Sequence, residues 1–315
     1  MSGQSSHQPV LMREALEGLA IEDDGCYVDG TYGRGGHSAG ILAQLGERGS
    51  LLALDKDPEA VADGVARFGA DPRFTIRHAG FEAMAEVVEP WLEGRPLRGV
   101  LLDLGVSSPQ LDDAQRGFSF TRDGPLDMRM NPERGPSAAD WLAKVGESEL
   151  RRVLAEFGEE RRARQLAALI VRERSRVPLT TTRQLAALIE HHSPQRPQRL
   201  HPATRVFQAI RIRINDELAA LSSALTQALE LLAPRGRLCV ISFHSLEDRI
   251  VKRFMAEESS IDPVYAGLPK IPPSAMPRMQ RIGKLIRPSS TEEATNPRAR
   301  SARLRVAEKL AGAVA

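Results

Sequence analysis

The chain has 315 residues, of which 27% are charged, and its formal net charge is only +2. This length suffices for one large domain or two smaller ones, and the small net charge excludes polyanion binding over the whole surface. No apolar run is long enough to span a bilayer and the polar N-terminus lacks a secretory signal, so we expect a cytoplasmic protein without membrane contact. Cys26 and Cys239 lie in apolar runs and are expected to be buried free thiols, and the spacing of Cys and His predicts no metal site.

The first predicted unit, after a short amphipathic segment, is a strand, a loop and a helix. An apolar run beginning at Cys26 leads into four glycines within seven residues, and helical spacing of apolar residues follows. Glycine tolerates positive φ and lets a ligand approach the backbone, and a helix start leaves N–H groups free for polar ligand groups. A glycine-rich loop is also found as a plain turn, so the loop alone does not predict a site.

The second predicted strand ends in Asp55, about 20 residues beyond the glycines, where a carboxylate binds a ribose diol. This geometry suits a dinucleotide or S-adenosylmethionine. The loop reads Asp29-x-Thr31-x-Gly33-x-Gly35 and is similar to the D-x-G-x-G-x-G loop of class I methyltransferases, with Thr31 in place of the first glycine. Asp29 would repel a pyrophosphate and attract an ammonium, which favours S-adenosylmethionine.

The third and fourth strands bring further candidates to the same sheet edge. Phe81 follows the third strand, where it would cover an adenine ring or serve as an ordinary core residue, and Asp103 ends the fourth. The loop after Asp103 contains Ser108, Pro109 and Gln110, where amino-methyltransferases carry a short [Asp/Asn/Ser]-Pro-Pro-aromatic loop. There a side-chain oxygen and a backbone carbonyl would accept the N–H bonds of the target amine and orient it. Ser108 and Pro109 are the catalytic candidates, although the sequence has one proline and Gln110 replaces the aromatic residue.

The alternation of strands and helices predicts an α/β fold with a parallel sheet, interrupted after the fourth strand by a helical insertion. Strands are predicted at 26–28, 50–55, 73–77, 99–103, 236–243, 281–286 and 302–307, and helices of the insertion at 138–145, 147–157, 159–174, 182–191 and 205–214. The prediction is a discontinuous domain formed by 1–110 and 215–315 and an inserted helical domain at 111–214.

The insertion is more basic than the rest of the chain. Residues 105–215 contain 19 Lys+Arg and 13 Asp+Glu. Basic charge concentrated in one module suggests contact with a phosphate backbone, although arginines on helix faces are also often solvated or paired with nearby glutamates. Two histidines lie near the predicted ligand edge. His37 is a candidate cofactor contact, and His244 could serve as a proton acceptor, a hydrogen-bonding wall or a structural residue.

Many longer strings in the chain resemble the bacterial ribosomal RNA small subunit methyltransferase H family. They cover nearly the whole chain: His7-Gln8-Pro9-Val10-Leu11, Asp29-Gly30-Thr31-Tyr32-Gly33-Arg34-Gly35-Gly36-His37-Ser38, Asp103-Leu104-Gly105-Val106-Ser107-Ser108-Pro109-Gln110-Leu111-Asp112, Arg116-Gly117-Phe118-Ser119-Phe120, Gly124-Pro125-Leu126-Asp127-Met128-Arg129-Met130, Gly158-Glu159-Glu160-Arg161, His201-Pro202-Ala203-Thr204-Arg205, Ser242-Phe243-His244-Ser245-Leu246-Glu247-Asp248-Arg249 and Asn296-Pro297-Arg298-Ala299-Arg300-Ser301.

The resemblance implies a class I (Rossmann-like) S-adenosylmethionine methyltransferase sheet with an all-helical domain inserted between strands 4 and 5. It implies methylation of the N4 amine of one cytidine in 16S rRNA near the ribosomal P site, with the small ribosomal subunit as partner. By similarity, the cofactor contacts would be Gly35, Gly36, His37, Asp55, Phe81, Asp103 and Gln110. The strings at 116–120 and 127–130 are expected to shape the cytidine pocket.

Three other functions remain open from the residues alone. A DNA cytosine-N4 or adenine-N6 methyltransferase would use the insertion to bind a duplex groove. A non-enzymatic RNA-binding or assembly factor would keep the fold without turnover, and a nicotinamide dehydrogenase would use the same glycine-rich loop. The loop pattern around Asp29 and the ribose-binding position of Asp55 favour the methyltransferase.

Overall fold

The computed structural model of the chain describes residues 9–193, 201–265 and 267–311. His7 and Gln8 of the first family string lie outside the described residues. The chain divides into two compact units, and each is considered by itself. Met1–Gly105 and Leu218–Ala315 form the sheet unit, and Val106–Glu217 form the helical unit. No helix among the described residues is both long and apolar enough to cross a membrane.

The sheet unit is built on one mixed sheet with the strand order β3-β2-β1-β4-β5-β7-β6. Its strands are β1 Cys26–Asp29, β2 Ser50–Asp55, β3 Phe74–His78, β4 Leu97–Asp103, β5 Leu232–Ser242, β6 Met279–Arg281 and β7 Arg303–Lys309. β1 to β5 pair in parallel, whereas β7 pairs antiparallel to both β5 and β6. The carboxyl ends of β1, β2 and β4 therefore meet at one edge of the sheet, where open α/β sheets bind ligands.

The helices follow the predicted alternation in the sheet unit and are consecutive in the helical unit. They are α1 Met12–Leu19, α2 Gly36–Leu42, α3 Pro58–Phe68, α4 Met84–Leu92, α5 Ser108–Asp112, α6 Ala138–Lys144, α7 Glu147–Glu156, α8 Ala163–Arg174, α9 Thr182–His191, α10 Thr204–Asn215, α11 Glu217–Leu231, α12 Ser245–Glu257 and α13 Ser290–Thr295. Local caps set several starts: the Asp57 carboxylate accepts from the Glu59 N–H with Pro58 at the first position of α3.

Side chains of alternate strand residues pack on opposite faces of the sheet, as the period of a β-strand requires. Val28 and Leu102 belong to the core that includes residues of α4, α11 and α12. Tyr27 and Leu101 belong to the core on the other face, with residues of α1 and α2. Both faces are buried, which explains why these strands are continuously apolar in sequence.

The helical unit has its own core, formed by apolar residues of α6 to α10 together with the segment before α6. In that segment the buried Arg116 donates to the carbonyl oxygens of Arg129 and Met130. The Asn215 side chain accepts from the Met130 N–H at 2.7 Å and donates to the Met128 carbonyl at 2.8 Å. These polar contacts hold a segment without regular secondary structure against the helices.

The α/β class is confirmed, and the main differences from prediction lie in two bulged strands. β5 begins at Leu232, before the predicted stop at Pro234, and its register with β4 shifts so that 233–236 bulge outward, with Arg235 at φ 68°. The predicted strand at 281–286 is instead β6 at 279–281, followed by a bulge before Ile286 pairs with Leu304. Apolar periodicity locates such strands, but Pro234, Gly236 and Gly283 are also typical of turns and strand ends, so the sequence does not show that pairing resumes beyond them.

Candidate functional site

Three neighbouring strands of the sheet unit each end in an aspartate. Asp55 ends β2, Asp29 ends β1 and Asp103 ends β4. The environments of the three carboxylates differ: Asp29 is completely buried, whereas Asp55 and Asp103 are partly exposed. The three carboxylates therefore differ in how many hydrogen bonds they already accept within the protein.

Both oxygens of the Asp29 carboxylate accept hydrogen bonds from the segment that follows it. One oxygen accepts from the Thr31 N–H at 3.1 Å and the other from the Ser38 hydroxyl at 2.6 Å. Burial raises the pKa of Asp29, and the hydrogen bond from Ser38 works in the opposite direction. Asp29 is therefore buried and organises the loop from within, and its attraction of a ligand ammonium stays a prediction.

The glycine-rich loop is tied to the two strands that flank β1. The Gly30 N–H donates to the Leu101 carbonyl at 2.9 Å, and the Tyr32 N–H donates to the Leu54 carbonyl at 3.0 Å. The Thr31 hydroxyl oxygen accepts from the Asp103 N–H at 2.6 Å. Thr31, which replaces the first glycine of the class I pattern, thus fixes the backbone at the end of β4.

Gly35 and Gly36 take the tightest part of this loop, at the start of α2. Gly35 has φ 64°, a conformation that favours glycine, and its N–H donates to the Tyr32 carbonyl at 2.7 Å. A Cβ on Gly36 would come within 2.2 Å of Pro9 Cγ. Both glycines predicted as cofactor contacts are therefore required by the loop itself, and they lie between Asp29 and the helix that carries His37.

The Asp55 carboxylate binds the same loop from the end of β2. It accepts from the Gly33 N–H and from the Asp57 N–H, each at 2.8 Å. Burial raises the pKa of Asp55 to about 6, and these two hydrogen bonds to the charged form oppose the rise. Each carboxylate oxygen has two lone pairs, so Asp55 retains acceptor capacity for a pair of hydroxyl groups.

His37 and Asp103 face each other with unsatisfied polar atoms. His37 Nε2 lies 3.6 Å from Asp103 Oδ2, which is too long for a hydrogen bond. Neither ring nitrogen of His37, nor Asp103 Oδ1, has a hydrogen-bond partner among the described residues, and all three atoms are buried. Burial lowers the pKa of His37, but the carboxylates of Asp103 and Asp29 outweigh it, so the net pKa is raised. Buried polar atoms without partners are costly, which marks this pair as a place for a polar ligand.

Phe81 lies in a 3-10 turn directly after β3 and close to the loop. A Cβ on Gly30 would lie 3.5 Å from Phe81 Cβ, and Lys56 Nζ lies 5.4 Å from the centroid of the Phe81 ring. Sequence reasoning missed Lys56 and Ser38, although both directly follow or flank predicted site residues. The structure thus brings Gly35, Gly36, His37, Asp55, Phe81 and Asp103 to one edge of the sheet unit.

The remaining candidates after β4 belong to the helical unit. Ser108 and Pro109 form the first turn of the short helix α5, and the Pro109 carbonyl accepts from the Asp113 N–H at 2.8 Å. Gln110 is buried, and its side-chain oxygen accepts from the Ser107 N–H at 2.9 Å. Gln110 therefore caps the start of α5. Its contact with a cofactor stays a prediction.

His244 has a structural role at the start of α12. Its Nδ1 accepts from the Glu247 N–H at 3.4 Å, and the Glu247 carboxylate accepts from the N–H groups of Phe243 and His244. This reciprocal pattern is a capping box, formed here with histidine in the position usually taken by serine or threonine. These contacts support the structural role predicted for His244.

In the helical unit, Asp127 is committed to an ion pair. Its carboxylate accepts two hydrogen bonds from the Arg129 guanidinium at 2.8 and 2.7 Å, and both side chains are mostly buried. Phe120 packs against His201, with ring centroids 4.6 Å apart, and against Phe207. The two strings expected to shape a cytidine pocket therefore have internal partners in this unit.

Comparison with known proteins gives consistent results. A family model described as the MraW methylase family matches residues 4–310. A curated ribosomal RNA small subunit methyltransferase H from Thioalkalivibrio sulfidiphilus is 55% identical over 315 residues, covering 99% of this chain and 100% of the relative. One from Coxiella burnetii is 53% identical over 307 residues, covering 97% and 99%. A solved putative rRNA methylase from Clostridium thermocellum is similar with a TM-score of 0.45 and 13% identity, over 98% of this chain and 100% of that chain.

Proposed function

The chain belongs to the MraW methylase family, and on this premise we propose that it transfers a methyl group from S-adenosylmethionine to RNA of the small ribosomal subunit. The acceptor proposed is the N4 amine of one cytidine in 16S rRNA, near the ribosomal P site. The relatives at 53% and 55% identity, matched over nearly their whole length, carry the name ribosomal RNA small subunit methyltransferase H. This full-length similarity is the observation that carries the proposal.

The sheet unit fits the proposed cofactor at the carboxyl ends of β1, β2 and β4. Asp103 Oδ1 is a buried acceptor without a partner among the described residues, and it suits the ammonium of the methionine part. Asp55, held by two backbone N–H groups, retains acceptors for the ribose hydroxyls. Phe81 offers a ring face beside the loop for the adenine. When bound, S-adenosylmethionine supplies an electrophilic methyl group on its sulfonium.

His37 is proposed as a binding residue rather than a base. Its ring is 5% exposed and its nitrogens lack partners within the described chain. The neighbouring Asp103 carboxylate favours a protonated ring, which can donate a hydrogen bond to the ligand carboxylate while Asp103 accepts from the ammonium. A protonated histidine beside a carboxylate is a poor proton acceptor, so the pair is suited to zwitterion binding.

For the acceptor, the chemistry requires positioning more than proton removal. The exocyclic amine of cytosine is a weak nucleophile because its lone pair is delocalised into the ring. An oxygen that accepts one N–H bond orients the amine and favours the geometry of the transition state. The Ser108 hydroxyl and the Pro109 carbonyl are proposed as these acceptors, on the basis of the similarity of their loop to that of amino-methyltransferases. The N4 atom is engaged in base pairing within a helix, so the cytidine must be unpaired or flipped outward.

The test is methyl transfer from labelled S-adenosylmethionine to small subunits that lack the modification, to naked 16S rRNA and to duplex DNA, followed by nucleoside mass spectrometry. N4-methylated cytidine in a ribosomal substrate is expected. Methylation of DNA alone would favour the DNA methyltransferase, and cofactor binding without transfer to any substrate would favour an assembly factor. An Asp55→Ala variant, which removes the proposed ribose contact, is the control for cofactor-dependent signal.

A further inference from the structure

A second concave surface of the sheet unit lies at the far edge of the sheet, beside β6. It is a cleft with a volume of about 710 Å³, lined by residues of α12, β6, β7 and the bulge after β6. None of the described lining residues is acidic, and four of them are basic: Lys252, Arg281, Lys284 and Arg305. We refer to this cleft, with its four basic residues, as the basic cleft.

The charge of the basic cleft is largely uncompensated. Arg305 is anchored by Asp248, which accepts from its Nε at 2.7 Å and is shared with Arg303. Lys252, Arg281 and Lys284 make no ion pair with any described residue, and Arg281 and Lys284 are exposed. One cation of the cleft is thus fixed and partly neutralised, whereas the other three retain full charge for a ligand.

The backbone after β6 is shaped so that it presents Lys284. The Ile282 N–H donates to the Val306 carbonyl at 2.9 Å, but pairing with β7 resumes only at Ile286, which bonds with Leu304. Two extra residues are therefore inserted on the β6 side, and Gly283 accommodates the turn at φ 67°. Bulges at sheet edges commonly redirect a side chain, and here the redirected residue is a lysine beside the cleft.

A polar group inside the cleft points to the same kind of ligand. The Ser259 hydroxyl is buried and has no hydrogen-bond partner among the described residues, and Ser259 is one of the lining residues. This hydroxyl group belongs to a residue that lines the same cleft as the four cations, and it has no partner of its own among the described residues that would compete with an anion. Edge strands also carry lysines simply to prevent edge-to-edge pairing, but that purpose requires neither a concave surface nor a buried donor.

The sequence around the cleft shows that the charge is regional. Residues 278–315 contain nine Lys+Arg and three Asp+Glu, so this end of the chain has the same net charge as residues 105–215 in about a third of the length. A surface of this kind attracts phosphates, because each neutralised phosphate releases condensed counterions. The RNA phosphate backbone is the polyanion that the proposed function already supplies.

We propose that the basic cleft binds phosphodiesters of the RNA substrate, as a docking site separate from the carboxyl edge of the sheet. This inference rests on the proposed function for its ligand. It predicts that Arg281 and Lys284 contribute to RNA affinity through charge, with no effect on binding of S-adenosylmethionine.

The test compares the double variant Arg281→Ala/Lys284→Ala with a matched control, Arg13→Ala/Arg48→Ala. The control removes two exposed cations of the same unit that lie outside the cleft. Affinity for a 16S rRNA fragment is measured between 50 and 200 mM salt, with S-adenosylmethionine affinity as the check on folding. Loss of about two phosphate contacts lowers the salt slope by about 1.5, so the affinity of the wild type falls about tenfold more across this range than that of the cleft variant.

The charge-conserving variant Arg281→Lys/Lys284→Arg is expected to keep the wild-type slope. If the cleft variant and the control both keep the wild-type affinity and slope while rRNA is methylated, the docking inference is overturned and the proposed function stands. If the wild-type protein neither binds nor methylates rRNA, the proposed function fails, and the docking inference fails with it.

Discussion

The hydrogen bond between Thr31 and the Asp103 N–H allows a sharp test of how the site is held together. Thr31→Val keeps the shape of the side chain but removes the acceptor that lies 2.6 Å from the Asp103 nitrogen. A buried donor without a partner costs about 1–3 kcal/mol. We expect a loss within this range, about 1.5 kcal/mol in the free energy of unfolding.

Urea unfolding followed by tryptophan fluorescence measures this loss. The chain has two tryptophans, and in a Trp141→Phe background Trp91 of α4 alone reports on the sheet unit. With a slope of about 3 kcal/mol per molar urea, the midpoint should fall by about 0.5 M. Thr31→Ser retains the hydroxyl and loses only a methyl group, so its loss should stay below about 1 kcal/mol. A valine variant as stable as the wild type, or a serine variant as unstable as valine, would refute the reasoning.

Other predictions concern the carboxylates. The pKa of Asp55 is raised to about 6, and its charged form would accept the ribose hydroxyls. Calorimetry should therefore show that S-adenosylmethionine binds about tenfold more weakly at pH 5 than at pH 7.5. The variant Asp55→Asn should bind S-adenosylmethionine weakly and lose this pH dependence. Ser38→Ala should destabilise by about 1.5–3 kcal/mol, because the buried Asp29 carboxylate loses its hydroxyl donor; a variant as stable as the wild type in urea unfolding would contradict this. Asp127→Arg should abolish rRNA methylation without changing cofactor affinity, whereas Glu133→Arg, at an exposed position, should not; an active Asp127 variant would exclude the pocket role.

The sequence predicts the positions of most strands and most helix bounds well because apolar periodicity reflects burial. The helix predicted at 182–191 coincides with α9, where Thr181 and Gln184 form a capping box that the sequence carries locally. The bulges in β5 and after β6 were not predicted, because their Pro and Gly residues are equally typical of a turn that ends a strand, and only pairing with a distant strand distinguishes the two.

In the site, residue identity was more predictable than residue role. Asp29, Asp55 and Asp103 all end their strands. Asp29 alone is completely buried, and its carboxylate accepts from the Ser38 hydroxyl and the Thr31 N–H. The difference depends on a backbone N–H two residues away and a hydroxyl group nine residues away, and a strand pattern contains no information on those contacts. Likewise, Gln110 is identified by its string, whereas its helix cap is visible only in three dimensions.

The pairing of β4 with β5 has a consequence for how the protein is made. Residues 104–231 separate these neighbouring strands, and at about 5–20 residues per second their synthesis takes on the order of 10 s. During that interval the apolar β4 edge has no partner, which is the condition under which nascent strands associate wrongly. The intervening helices make mostly local contacts and can fold within the interval. We therefore expect any chaperone dependence of this protein to arise during the delay before β5 is synthesised. It should be relieved in a circular permutant that begins before β5 and ends after the helical unit, because β5 is then synthesised before β4.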